Sequence, residues 1–115
     1  MPKNYLLVYS EQLATDIELL CKNIKAPSNT LFQIRKSSSS VYANIREAIY
    51  GQSKADFIAK LQISLKETAE TEYWLRLLIL SECITEQEGN SLLNDCLEIK
   101  RILVSTLNTA KENNK

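Results

Sequence analysis

The sequence predicts an all-α protein, a single domain over residues 1–115 folded as an antiparallel up-down-up-down four-helix bundle, and three observations lead to this. Only two glycines and two prolines interrupt the 115 residues, so there is little material for the turns of a many-stranded sheet. Hydrophobic residues make up 44% of the chain, which is enough for a core without metals or disulfides. Between the interruptions apolar residues recur every three or four positions, the period of an amphipathic helix, and short connections favour antiparallel neighbours.

The first helix is predicted at about residues 5–24. Pro27 cannot extend a helix and disfavours helical geometry at the residue before it, so the helix ends ahead of it. Ser28 or Asn29 is then expected to cap the second helix. The apolar stripe of the first helix consists of Leu6, Leu13, Ile17, Leu20 and Ile24.

The second helix is predicted at about residues 30–50. The run Ser37–Ser40 would be typical of a linker, but its serines are in phase with apolar positions on both sides, so we keep it helical. Ser38 lies on the stripe, where a small side chain permits close approach of a neighbouring helix. Gly51 is expected to end the helix. The stripe consists of Leu31, Ile34, Ser38, Val41, Ile45 and Ala48.

The third helix is predicted at about residues 54–83, capped by Ser53 and with Asp56 in its first turn to complement the helix dipole. Its stripe reads Ile58, Leu61, Leu65, Thr68, Glu72, Leu75 and Ile79, so it carries a carboxylate on an otherwise apolar face.

The fourth helix, at about residues 86–111, begins with a capping box formed by Thr85 and Glu88. Its inward residues are predicted to be Leu92, Leu93, Cys96, Leu97, Ile99, Leu103 and Leu107.

The composition argues against most catalytic classes. The chain has no histidine, which excludes Ser-His nucleophiles, histidine acid–base chemistry and histidine-liganded zinc within one chain. Its three cysteines form no Cys-x-x-Cys pair and are expected to be buried thiols in a reducing compartment. With no signal-peptide pattern and no apolar run of membrane-spanning length, a cytoplasmic location is expected. We predict no catalytic residues, no metal ligands, no cofactor, no membrane partner and no small-molecule substrate.

The segment between Ser37 and Leu75 closely resembles a family of small bacterial four-helix bundle proteins encoded by intervening sequences within 23S ribosomal RNA genes. The family is similarly related to the accessory proteins of diversity-generating retroelements. One departure concerns the second helix, where Tyr42 stands at a position that is usually glycine in the family and Ser38 and Ser39 stand where a Gly-Thr pair is common. The second departure is charge, because the nucleic-acid-binding relatives are strongly basic whereas this chain is neutral. The resemblance rests on Ser40, Ala43–Ala48, Gln52–Ile58, Lys60, Leu61, Ile63, Leu65–Glu67 and Glu70–Leu75.

This resemblance implies a bundle that assembles into a homopentameric ring. For the retroelement relatives it also implies a basic surface that engages nucleic acid and a reverse transcriptase. For most members it implies no established activity.

Four polar residues of the resembling segment, Asn44, Glu47, Glu70 and Glu72, form the candidate polar network. One interpretation is a paired-carboxylate acid–base or metal site. The other, which we favour because no histidine or glycine-rich loop accompanies them, is a buried hydrogen-bonded network that fixes helix register.

Charge is balanced overall, with 14 basic and 14 acidic residues, but it is unevenly distributed. The basic excess lies between residues 19 and 60, and the acidic excess lies between residues 61 and 99. The basic group could contact nucleic-acid phosphates, could be a solvated face, or could pair with the acidic helices of a neighbouring protomer. The candidate residues are Lys22, Lys25, Arg35, Lys36, Arg46 and Lys54.

Several aromatic residues could serve as base-stacking platforms or as core and interface anchors. They are Tyr5, Tyr42, Tyr50, Tyr73 and Trp74. Taken together, the sequence favours a non-enzymatic homo-oligomeric scaffold. The alternative is an RNA- or DNA-binding accessory protein that uses the basic face of the second helix.

Overall fold

A computed structural model describes residues 4–112 of the chain. They form four α-helices and no strands: α1 (Tyr5–Asn23), α2 (Ser28–Tyr50), α3 (Lys54–Leu80) and α4 (Glu86–Glu112). Each helix packs against the next one in the chain, and α1 also packs against α4, so the four surround a shared interior. The predicted all-α four-helix bundle is confirmed.

The interior is built from the apolar stripes of all four helices, which remove their side chains from water and so supply the main stabilising free energy. Within residues 4–112, eighteen hydrophobic residues are buried. Those that are largest and most completely enclosed are Leu13, Ile17, Ile34, Val41, Ile45, Leu61, Leu75, Leu78, Ile99 and Leu103.

One predicted inward position is wrong. Leu97 of α4 is exposed, because successive residues of a helix are about 100° apart and Cys96 already occupies the inward position. Of the three cysteines, Cys21 and Cys96 are buried and Cys83 is half-buried, and all three thiols are free. Burial is the main cause that raises the pKa of the Cys96 thiol to about 12.

The predicted start signals of α3 and α4 are confirmed. The Ser53 hydroxyl accepts the Asp56 N–H at 3.0 Å. Thr85 and Glu88 form the reciprocal capping box, in which each side chain accepts the other residue's backbone N–H at 3.1 Å. Gly51 ends α2, as predicted, by donating its N–H to the Ala48 carbonyl.

The predicted cap of α2 is wrong. Pro27 takes the cap position with φ −56° and ψ 139°, and its carbonyl accepts the Leu31 N–H, so Ser28 is already the first helical residue. The ring fixes φ near the value that the first helical turn requires, and no side-chain cap is made. At the start of α1 the Asn4 side chain accepts the Leu7 N–H, a cap that the sequence analysis did not assign.

Helix α3 ends at Leu80, about one turn before the predicted end near Cys83. Glu82 has a positive φ of 61°, its N–H donates to the Ile79 carbonyl, and the Cys83 N–H donates to the Leu78 carbonyl. This pair of bonds is a Schellman motif, which satisfies carbonyls that the last turn would otherwise leave free.

The contact between α2 and α3 is lined by small hydroxyl side chains. The Ser64 hydroxyl donates to the Val41 carbonyl at 2.9 Å, and the hydroxyl oxygens of Thr71 and Ser37 are 2.8 Å apart. Ser38 is buried at the same seam, as its predicted stripe position requires. Small residues let the two backbones approach closely, and the hydrogen bonds compensate for burying polar groups.

Candidate functional site

Glu72 is the one member of the predicted polar network that is buried. Its Oε1 lies 2.8 Å from the Lys100 Nζ of α4, and the Lys100 side chain is 35% exposed. The pair ties α3 to α4 at one register, which is the structural role that the sequence analysis favoured for such a carboxylate. Lys100 was missed, although its spacing of four from Cys96 and three from Leu103 places it at the edge of the α4 stripe.

The four predicted network residues do not form one cluster. The Glu47 carboxylate faces Lys60 at 3.9 Å, whereas the Asn44 amide donates to the hydroxyl and carbonyl of Ser40 within α2. Glu47 and Glu72 therefore lie in separate ion pairs, and the structure does not bring the four residues into one network. The reason is helical phase: three residues after Asn44, Glu47 has turned toward solvent.

Ser40, which accepts a hydrogen bond from the Asn44 amide, and Glu70 both act on Glu67, a residue that the sequence analysis did not assign to the network. Burial is the largest cause raising the pKa of the Glu67 carboxyl, and the neighbouring Glu70 carboxyl raises that pKa further. Ser40 and Lys66 lower it. Within residues 4–112 no group of three or more cysteine, aspartate or glutamate side chains is placed to hold a metal ion.

The six predicted basic residues are not gathered on one face. Lys22 and Lys25 lie where α1 ends, and Lys54 begins α3, so the 23 residues of α2 separate them, about 34 Å along a helix. Arg35 faces the Glu18 carboxylate of α1 with Nε 3.4 Å from Oε2, although its N–H is not aimed for a hydrogen bond. The exposed cations that belong to the outer surface of α2 are Lys36 and Arg46.

Arg46 is held by two tyrosines of its own helix. Its guanidinium carbon lies 5.8 Å from the centroid of the Tyr42 ring and 5.4 Å from that of Tyr50. The Tyr42 hydroxyl donates to the Glu11 carboxylate of α1 at 2.7 Å. Tyr42 is therefore accommodated at the surface between α1 and α2.

A second row of residues runs along the outer surface of α3. At alternating spacings of four and three it comprises Ala59, Ile63, Lys66, Glu70, Tyr73, Leu77 and Leu80, here called the α3 stripe. Tyr73 is 57% exposed and Leu80 is 80% exposed. The row also contains the charged Lys66 and Glu70, but its large apolar members lie opposite the side of α3 that forms the core, and apolar residues on both sides of a helix are typical of one that is covered on both sides.

The outer surface of α2 carries a row with the same spacing, here called the α2 stripe: Phe32, Lys36, Ser39, Ala43, Arg46 and Tyr50. Its terminal aromatic residues are 59% and 67% exposed, for Phe32 and Tyr50 respectively. Small side chains occupy its middle and cations lie between the middle and the ends.

A cavity of about 170 Å³ lies between α1 and α4, lined by Tyr9, Gln12, Asp95 and Glu98. Burial, and to a smaller extent Asp16, raises the pKa of the Asp95 carboxyl. The sequence analysis singled out none of these residues. None of the helices in the described part of the chain is long and apolar enough to cross a membrane.

The comparison with known families covers nearly the whole chain. The family model described as 23S rRNA-intervening sequence protein matches residues 6–105. The chain belongs to this family. The matched span of this 23S rRNA-intervening sequence protein includes the α2 stripe, the α3 stripe and the Glu72–Lys100 pair.

A crystal structure from Bacteroides thetaiotaomicron VPI-5482 is similar to this 23S rRNA-intervening sequence protein over most of both chains. It is a protein with unknown function from the S23 ribosomal protein family, 45% identical, with a TM-score of 0.85. The similarity covers 89% of this chain and 97% of the Bacteroides chain. No curated protein matches the chain significantly.

Proposed function

We propose that this protein is a non-enzymatic scaffold that works as a homo-oligomer, and the observation that carries the proposal is the exposed α3 stripe. Leu80, Tyr73 and Ile63 lie on the outer surface of a helix whose other side already forms the core. Fully burying a large apolar side chain is worth about 1.5–3 kcal/mol, so covering this row would offset part of the free-energy cost of association.

The proposed assembly is the homopentameric ring that the family resemblance implies. The protomer is taken as a single up-down-up-down bundle. Two contacts between α2 and α3 support this arrangement: Ser37 meets Thr71, and Val41, later in α2, meets Ser64, earlier in α3. This order of contacts is that of antiparallel helices. Because a face of one protomer would meet a different face of the next, such contacts close into a ring.

The mass of the particle in solution tests the proposal. Size-exclusion chromatography with multi-angle light scattering is expected to give five times the protomer mass of 13.1 kDa. Replacing Tyr73 and Leu80 together by lysine should shift the particle to monomers, because two charges would have to be buried in the contact. Leu19→Lys, an exposed leucine of α1, is the matched control and should leave the mass unchanged. A wild-type monomer at micromolar concentration would contradict the proposal.

The proposal places the scaffold in the cytoplasm and gives it no substrate. The three free cysteines are consistent with a reducing compartment. Glu72, the carboxylate best placed by sequence for acid–base chemistry, is buried and paired with Lys100, which supports a role in register.

A second candidate function is that of an RNA- or DNA-binding accessory protein, and one observation favours it. Arg46 lies exposed between Tyr42 and Tyr50, and an arginine beside aromatic rings can contact both phosphates and bases. The names of the matched family and of the Bacteroides structure refer to ribosomal RNA and to a ribosomal protein, so a 23S rRNA fragment is the first ligand to test.

This candidate predicts an affinity that falls steeply as salt rises, since phosphate contacts release counterions. Electrophoretic mobility shifts at 50 and 200 mM salt with wild type and Arg46→Gln measure it. Lys111→Gln, at the far end of α4, is the control. The absence of any shift at low salt would eliminate the candidate.

A further inference from the structure

We propose that the α2 stripe is a docking site for an acidic amphipathic helix of another protein. The stripe alternates spacings of four and three over six positions, so its residues form one row along the outer surface of α2. From Phe32 to Tyr50 it is about 27 Å long at 1.5 Å per residue. That length matches a helix of about five turns.

The side chains along the row are arranged in a way that suits contact with a second helix. Exposed aromatic residues stand at both ends, where Phe32 and Tyr50 can anchor apolar residues of a partner. Ser39 and Ala43, both exposed, occupy the middle, and such small side chains allow a second helix backbone to approach closely. An α-helix laid along this row would place its own apolar residues between the two aromatic anchors.

The charges of the row select an acidic partner. Lys36 has no carboxylate within ion-pair distance in residues 4–112, and the contacts of Arg46 in the same range are to Tyr42 and Tyr50. Long basic side chains can bury their stems while their charged ends reach glutamates that flank an apolar seam. Tyr42, itself bonded to Glu11, holds Arg46 in place before any partner arrives.

The same surface is less suited to nucleic acid. Its two cations are ten residues apart, about 15 Å along the helix, and the small middle of the row lies between them. The exposed carboxylates of Glu11 and Glu47 lie beside it. A phosphate backbone carries closely spaced charges along its whole length and would meet these carboxylates. A helix with an apolar seam can instead place glutamates opposite Lys36 and Arg46 and neutral residues beside Glu11 and Glu47.

The test uses designed 21-residue peptides with leucine at the a and d positions of each heptad and alanine elsewhere, except at e and g. One peptide has glutamate at e and g and a second has lysine there; like charges at these positions keep each peptide monomeric. A third has the composition of the acidic peptide in scrambled order. Binding of each fluorescein-labelled peptide to the full chain is followed by fluorescence anisotropy.

The acidic peptide is expected to bind more tightly than the other two. Phe32→Gln and Ala43→Glu should each weaken its binding about tenfold, and the double variant Lys36→Glu, Arg46→Glu should reverse the preference toward the lysine peptide. Leu19→Gln on α1 is the control and should leave binding unchanged. Circular dichroism verifies that each variant remains helical.

Three results would overturn the proposal. The first is binding of the scrambled peptide as tight as that of the acidic peptide, or no binding of the acidic peptide. The second is a loss of particle mass in Phe32→Gln, which would show that a second copy of the chain covers the stripe. The third is displacement of the acidic peptide by a single-stranded oligonucleotide at low salt. Because the scaffold is tested on α3 and this docking site on α2, either proposal can fail without the other.

Discussion

At the scale of single residues, the Glu72–Lys100 pair shows how one buried charge can fix the relation of two helices. The carboxylate is nearly removed from water, and the lysine that compensates it is one-third exposed. A charge in such a place is tolerated only while its partner is present. The pair therefore selects one register of α3 against α4.

Removal of the lysine tests this role. Lys100→Met is expected to lower the free energy of unfolding by about 2 kcal/mol, less than for a fully buried pair because Lys100 is partly solvated. In the double variant Glu72→Met, Lys100→Met most of the loss should be recovered, since no charge is left unpaired. Urea unfolding at pH 7 measures both. Arg101→Met, which removes the partner of Glu98 at the surface, is the control and should leave the free energy of unfolding unchanged. An equal loss of unfolding free energy in Lys100→Met and in the double variant would contradict this account.

Glu67 should make stability depend on pH in a predictable direction. Burial and Glu70 raise the pKa of its carboxyl in the folded protein, so the ionised form opposes folding at neutral pH and protonation relieves this as the pH falls through the raised pKa. Glu67→Gln is therefore expected to stabilise the protein at pH 7. The gain should vanish below about pH 4, where the carboxyl is protonated in both the folded and the unfolded protein.

Thermal unfolding of wild type and Glu67→Gln between about pH 3 and pH 7 measures the difference. Glu112→Gln is the control, because Glu112 is exposed at the end of α4. Glu88→Gln would not be suitable, because Glu88 caps α4. A gain that is constant across the pH range would show that the raised pKa is not its cause.

At the scale of helices, the connection between α3 and α4 contains Glu82, whose backbone conformation is unfavourable for a glutamate. Glu82 occupies the left-handed region at φ 61°, where side chains other than glycine or asparagine are unfavourable by about 1–2 kcal/mol. Glycine adopts that conformation freely but loses more entropy on folding. Glu82→Gly is therefore expected to stabilise the protein by about 0.5–1 kcal/mol.

Urea unfolding of two variants that differ only in position checks this prediction. Glu86→Gly makes the same change four residues later, in the first turn of α4, and should destabilise by about 1 kcal/mol because glycine is a poor helix former. Opposite signs for the two changes are the expected result. Destabilisation by both would show that the Glu82 side chain makes a contribution larger than its backbone strain.

The same elements show what can be predicted from the sequence. The four helices, the Ser53 cap, the Thr85–Glu88 box and the stop at Gly51 were predictable because their signals are local. The end of α3 was not, since Glu82 is an unusual residue for its conformation. The pairing of Glu72 with Lys100, 28 residues later, was not predictable. It depends on how far α4 is shifted along α3, and the spacing of apolar residues within each helix does not define that shift.

At the scale of the whole molecule, the protomer leaves large apolar side chains uncovered, and on α3 four of them fall in one row, with Leu80 the most exposed at 80%. Leu80, exposed at the end of the helix, contributes to no interior contact of the buried core. If the protein remained a monomer, such a row on its surface would favour non-specific aggregation. A defined assembly would remove it from water in each protomer.

Assembly of this kind makes thermal stability depend on protein concentration, because association stabilises only the folded chain. For a pentamer of this length, a tenfold increase in concentration is expected to raise Tm by about 4 °C. Leu80→Lys should remove this dependence, while Leu19→Lys, another exposed leucine near the end of its helix, should retain it. Differential scanning calorimetry over a hundredfold concentration range measures all three slopes. A wild-type Tm that is the same at every concentration would mean that the α3 stripe stays in water, and the scaffold proposal would then have to be abandoned.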